Sequence, residues 1–364
     1  MKKSIKILLG IVVVLIIILL ISRNNAGNEK IKIGALMPQT GFGAYWGGPG
    51  VKGIELAKKD LEEMYGKGNV KIVIEDSQSD NAKAVSGAQK LLSVDKVDGL
   101  YTEFSGIGSA VSPIAKSADK VLVYSTYNQK IADDNQLSLK TFLSFEEACS
   151  KFAKYVNDPS KKFLIISAVG DTAPYCANGL ATVVGKENIK VIQGLSPKDT
   201  DFRTLLLQNK SFGADYIIPI MYEDGSYALL KQSNDMGIKA GFFSDKQDLA
   251  TDKNIAGLPA EATNNVVYFE ATINQKFADK IKKSYPELSN DDLQAAANSY
   301  QSMMAMGIGL AECKDKSAEC VVGKLTNKSD LPLVGYDNAK FVNRILESDL
   351  VFGKVVNKEK IVIK

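Results

Sequence analysis

The chain has 364 residues, 45 % of them hydrophobic and 24 % charged, with a formal net charge of +3. It contains no histidine, which excludes Ser-His-Asp triads, imidazole general bases and His-ligated zinc, and no Walker-type phosphate loop or Gly-x-Ser-x-Gly elbow occurs. Lys2, Lys3, Lys6 and Arg23 supply four of the 45 basic residues, which leaves 41 against 42 acids over the rest, so no basic patch argues for nucleic acid.

The first element is the apolar run Ile7–Ile21 behind those lysines. A spanning helix needs about 20 residues and at least about 17, which Ser4–Ser22 reaches if Lys6 snorkels. No small-x-small cleavage site follows, and no cysteine for lipid attachment. An uncleaved signal anchor with an extracytoplasmic body is therefore expected, with a cleaved signal peptide as the alternative. About 340 residues then lie outside the membrane, a length that suits two lobes.

Strand and helix patterns alternate from there. Strands are predicted at 30–37, 70–75, 98–104 and 121–125, with helices at 50–64, 81–94 and 109–118 between them. The pattern restarts with helices at 145–156, 175–184, 201–208 and 227–236, and strands at 163–167, 189–193, 216–220, 241–243 and 266–270. Two helices, 275–284 and 291–312, come next, and the tail at 350–355 and 360–363 reads as a β-hairpin. Runs of βαβ units imply an α/β fold with parallel sheets covered on both faces. The four cysteines read as disulfides outside the cytoplasm. Cys313 and Cys320 close a short loop, and Cys149 and Cys176 sit on helices flanking the strand 163–167, but the sequence leaves connectivity open. No Cys-x-x-Cys spacing suggests a metal.

Ligands of open α/β sheets sit beyond the carboxyl ends of the strands. After the first strand, Gln39–Gly50 carries five glycines with Phe42, Tyr45 and Trp46, a candidate pocket wall. After the third, Glu103, Ser105 and Gly106 lead into a helix start suited to an anion, with Ser109 equally readable as its N-cap. Ser125 and Tyr127 follow the fourth. The second half offers Tyr175, Tyr222, Asp245 and Lys246 in corresponding loops.

The order and spacing of these pieces resemble the type I periplasmic binding proteins, the leucine/isoleucine/valine-binding receptors of ABC importers. The resemblance rests on Ile33-Gly-Ala-Leu-Met-Pro-Gln-Thr-Gly41 with Trp46 downstream, Gly53-Ile-Glu-Leu-Ala57, Ile74-Glu-Asp-Ser-Gln-Ser-Asp80, Ser112-Pro-Ile-Ala-Lys116 and Val121-Leu-Val-Tyr-Ser125. It continues in Asp171-Thr-Ala-Pro-Tyr175, Gly213-Ala-Asp-Tyr-Ile217, Gly257-Leu-Pro-Ala-Glu261 and Ala297-Asn-Ser-Tyr300. It implies two Rossmann-like lobes joined by three crossovers behind the N-terminal transmembrane helix. Residues 1–29 would form the anchor and spacer, 30–140 with 271–328 one lobe, and 141–270 with 329–364 the other. It further implies a non-enzymatic, cofactor-free solute-binding protein that holds a small polar ligand, an amino acid or relative, between the lobes. Its partners would be an ABC permease and ATPase, with a membrane-anchored sensor of the same fold as the alternative. Ser105 would hold the ligand carboxylate, and the tyrosines would cover the ligand. Where the family places an acid for the ligand ammonium, a gapless match puts Lys246 or Gln247, with Asp245 one position earlier. A lysine there would favour an anionic ligand, whereas Asp245, Glu223 or Glu103 would serve an amine.

Overall fold

The computed structural model describes residues 31–363, with 170 and 329 excepted. The expected N-terminal anchor lies outside these residues, and no described helix is long and apolar enough to cross a membrane.

Two seven-stranded sheets form the body. The first is built from β1 (Ile31–Met37), β2 (Val70–Asp76), β3 (Gly99–Glu103), β4 (Val121–Ser125) and β5 (Ser138–Lys140), in the order β5-β4-β3-β1-β2 and all parallel. The second has β6 (Phe163–Ser167), β7 (Ile189–Ile192), β8 (Tyr216–Ile220), β9 (Gly241–Asp245) and β10 (Val266–Ala271), with parallel order β10-β9-β8-β6-β7. β3, β4, β6 and β9 are buried at every position. That is the cost of covering both faces of a parallel sheet with helices, and it is why these strands read as unbroken apolar runs.

The C-terminal strands split between the sheets. β11 (Lys340–Val342) and β12 (Ile345–Glu347) extend the first beyond β5, while β13 (Leu350–Val356) and β14 (Glu359–Ile363) form an antiparallel hairpin on β10. The expected division at 329 is thus displaced, because β12 pairs with β5 before the chain leaves the first sheet between 347 and 350. The chain passes between sheets three times: after β5, after β10 and after β12.

These passages are stitched. Lys140 ends β5 fully buried, and its Nζ donates to the carbonyls of Phe142 at 2.9 Å and Leu143 at 2.6 Å. Burial pushes this ammonium down to about 7. Thr272 N–H donates to the Asp349 carbonyl at 2.8 Å, and Asp337 N–H to the Thr272 carbonyl at 2.9 Å, so the second and third passages lie side by side.

The Ala44–Tyr65 helix packs along the Leu293–Glu312 helix. The latter is buried from Leu293 through Leu310, and its small residues permit close contact. A Cβ on Gly53 would fall 2.0 Å from the Ala296 carbonyl oxygen. Both pairs of cysteines form disulfides: Cys313–Cys320, and Cys149–Cys176 between the Phe145–Val156 and Ala173–Leu180 helices.

Candidate ligand-binding cleft

The loop after β1 is tied to the end of β2. Asp76 accepts hydrogen bonds from the N–H groups of Gln39, Thr40 and Gln78 and from the Thr40 hydroxyl. Gly41 turns the chain at φ +84°, with its α-carbon facing the Gln78 carbonyl. The glycine-rich stretch then becomes helix already at Ala44, six residues before the expected start. Tyr45 and Trp46 therefore sit on its first turn.

After β3 the chain bends sharply. Phe104 has φ 67° and ψ 133°, a conformation costing roughly 1–3 kcal/mol outside glycine. The bend starts the next helix at Ser105 rather than Ser109. Ser109 is thereby inside the helix, where its hydroxyl accepts from the Asn128 side chain at 3.2 Å. After β4, Tyr127 packs its ring edge-on against Phe142 at 4.8 Å and Phe145 at 4.6 Å.

The second sheet supplies the facing wall. Tyr222 precedes the Glu223–Asp235 helix, and its ring contacts Phe104 at 4.8 Å and Phe42 at 5.2 Å. Its phenol lies beside the Ser105 backbone N–H. β9 ends at Asp245, which caps the one-turn Lys246–Leu249 helix by accepting from Gln247 N–H at 2.8 Å. That turn points Asp248 across the cleft, where its carboxylate accepts from the Tyr127 hydroxyl at 2.7 Å.

Between the walls is a narrow cavity of about 30 Å³, lined by Tyr45, Trp46, Phe104, Ser105, Ser125, Thr126, Tyr127, Phe142, Tyr222 and Asp248. Of the expected site residues, Tyr45, Trp46, Ser105, Ser125, Tyr127 and Tyr222 line it. The hydroxyl oxygens of Ser105 and Ser125 are buried without a hydrogen-bond partner among the described residues. An unsatisfied buried hydroxyl costs about 1–3 kcal/mol, which a polar ligand group would recover.

The other expected residues fall outside this lining. Phe42 and Gly106 line a separate outer groove, with Phe42 backing Phe104 and Tyr222. Glu103 is buried, accepting from Tyr101 at 2.8 Å and Ser299 at 2.7 Å. Tyr175 donates to Asp133 on the opposite lobe. Asp245 is held by the Gln294 side chain at 3.2 Å as well as by its capping role. Lys246 does not face the cavity, because its ammonium pairs with Glu270 at 2.9 Å and lies 3.9 Å from Asp291. The lysine that would favour an anionic ligand is thus already neutralised elsewhere.

Sequence reasoning missed Asp248, Phe142, Phe104 and Thr126 as lining residues. A signal for Asp248 did exist. An N-cap Asp at 245 sets a helical turn, and a residue three positions on returns to the same face.

The carboxyls here share one perturbation. Burial pushes Glu103 up to about 7, against the hydrogen bonds from Ser299 and Tyr101. Burial also raises Asp248 well above the ordinary range, reinforced by the neighbouring Asp245 charge, and raises Asp245. For Glu103 the unfolded chain titrates near about 4.3, so the folded state holds more protons from there to about 7. Stability therefore falls as pH rises through that window. Glu103→Gln, which removes the charge, should gain stability relative to wild type between about pH 4.5 and 7.5, read from urea midpoints. A constant difference across that range would contradict the assignment.

Comparison with known proteins agrees with this architecture. The chain is 26 % identical over 344 residues to the Leu/Ile/Val-binding protein of Escherichia coli, covering 87 % of this chain and 92 % of that one. It is 25 % identical over 248 residues to Leu/Ile/Val-binding protein homolog 7 of Brucella melitensis, covering 63 % of this chain and 61 % of the relative's length. A leucine-binding protein from Thermotoga maritima shares the fold with a TM-score of 0.75 at 16 % identity, covering 92 % of this chain and 98 % of its own. A branched-chain amino acid transporter substrate-binding protein from Streptococcus pneumoniae, solved with isoleucine, gives 0.73 at 19 % identity, covering 92 % and 99 %. Residues 30–359 match the periplasmic binding protein family, and with these relatives and two α/β lobes the chain belongs to the type I periplasmic binding proteins of the leucine/isoleucine/valine-binding group.

Proposed function

We propose that this protein is an extracytoplasmic solute-binding protein that captures a small amine-bearing solute, an amino acid or a close relative, between its lobes. The solute would then pass to the permease and ATPase of an ABC importer, with the apolar N-terminal segment holding the body at the membrane. The observation that carries this reading is the pairing, in one interlobe cavity, of a buried carboxylate with two unpartnered hydroxyls. Asp248 fits a ligand ammonium; Ser105 and Ser125 fit its carboxylate. The match to a receptor solved with isoleucine supports the same class of solute.

Closure would follow from population shift. A ligand that touches both walls binds the closed form better and draws the equilibrium to it. A thermal-shift screen across amino acids, amides, amines, short peptides, polyols and carboxylates is the direct test. Stabilisation by sugars or nucleosides alone would reject an amine ligand. Against a ligand found in this way, Ser105→Ala should weaken binding by roughly tenfold, the worth of one hydrogen bond to a charged group. Unchanged affinity would remove Ser105 from the carboxylate site.

A further inference from the structure

The side chains around the cavity specify more than an amine. Six of the ten lining residues are aromatic: Tyr45, Trp46, Phe104, Tyr127, Phe142 and Tyr222. Asp248 is the one carboxylate among them, and no lysine or arginine of the described residues joins the lining. The chain has no histidine, and the neighbouring Lys246 is committed to Glu270. The cavity thus sets one acidic side chain among π-faces. Trp46, Phe104, Tyr127 and Phe142 are each less than one-tenth exposed, so a cation among them would be largely stripped of water. Cation–π attraction is strongest in that situation, about 2 kcal/mol or more, and aromatic enclosures of this kind suit quaternary ammonium groups.

The polar groups are arranged to match. A primary ammonium has three N–H donors to satisfy. The lining side chains offer it one carboxylate, and Tyr127 already donates to that carboxylate. A methylated ammonium needs charge compensation but few or no acceptors, which one carboxylate and aromatic faces provide. At the other end, the first amide of the Ser105–Ser117 helix is faced by the Tyr222 phenol. The free hydroxyls of Ser105 and Ser125 are what remain for the ligand's second group.

We infer that the cavity selects a small quaternary or N-methylated ammonium compound carrying a carboxylate or hydroxyl at its other end. The inference rests on the reading of this cleft as the capture site for an amine-bearing solute and narrows it. Its cation lies against the aromatic walls beside Asp248, and its tail reaches Ser105 and Ser125.

Isothermal titration of the full chain provides the test, with glycine betaine, choline, glycine, leucine and 3,3-dimethyl-1-butanol, the uncharged isostere of choline, as probes. Glycine betaine or choline should bind, exceeding glycine by roughly tenfold or more, and choline should exceed its uncharged isostere by at least as much. Phe142→Leu should narrow the ratio of choline to isostere, a readout that loss of fold would not mimic, because both probes share one shape. Equal binding of choline and the isostere would overturn the inference. Binding of leucine or glycine with none by the methylated compounds would also overturn it while leaving amine capture standing. If no amine of any kind binds, the capture reading itself falls.

Discussion

Asp248→Asn is expected to weaken ligand binding by at least about thirtyfold while leaving the ligand-free protein as stable or more so. Removing one partner of a buried charge pair costs about 2–5 kcal/mol in binding, and 2 kcal/mol is already a factor of roughly thirty. The stability half of the expectation has the opposite sign for the same reason. Without a bound cation, Asp248 is 4 % exposed, beside the Asp245 carboxylate, with only the Tyr127 hydroxyl donating to it among the described residues. Burial raises its pKa well above the usual carboxylate value, so ionising it opposes folding at neutral pH. Asparagine keeps an acceptor for Tyr127 and removes the charge. Titration calorimetry and thermal melts on the same preparation check both halves. A variant that binds normally would place the ligand's cation elsewhere. A variant that is less stable when empty would show that the carboxylate has a cationic partner in the folded protein.

Replacing Cys149 and Cys176 together by serine should cost about 3–4 kcal/mol of stability. The bridge spans a sequence separation of 27, and the loop-closure entropy it removes from the unfolded chain is of that size. Cys313–Cys320, with a separation of 7, should be worth about 2–2.5 kcal/mol by the same rule. Neither pair lines the cavity, so ligand affinity should survive both changes. Urea unfolding of the two double-serine variants gives the comparison. A larger loss from the short loop would mean that packing strain rather than chain entropy governs these bridges.

The alternation of strands and helices was legible because central parallel strands such as Val121–Ser125 are apolar at almost every position. The tail hairpin was legible from its turn at Asn357 and Lys358, both with positive φ. The start of the Ala44–Tyr65 helix was not. Gly43, Gly47, Gly48 and Pro49 argue locally against a helix, and packing overrides them: a Cβ on Gly47 would meet the Pro38 carbonyl oxygen at 2.1 Å. β11 and β12 were also missed. Each has three residues, and β12 meets β5 only through Ile345 and Lys140. For the cleft, a serine at a helix start and tyrosines after strand ends carry local signals. Phe142 carries none: it lies in the passage after β5, where the Lys140 ammonium donates to its carbonyl.

The stitched passages between the sheets limit how the cleft can open. Thr272 and Asp349 are bonded across two neighbouring crossings, and only two residues separate β12 from β13. Sliding one lobe past the other would have to tear that bond, whereas turning about it need not. Any relative movement of the lobes is therefore expected to be a rotation about the crossings near residues 272 and 349. The Tyr127–Asp248 and Tyr175–Asp133 bonds both cross from one lobe to the other, so turning the lobes apart is expected to release them while the bond at the crossings stays made.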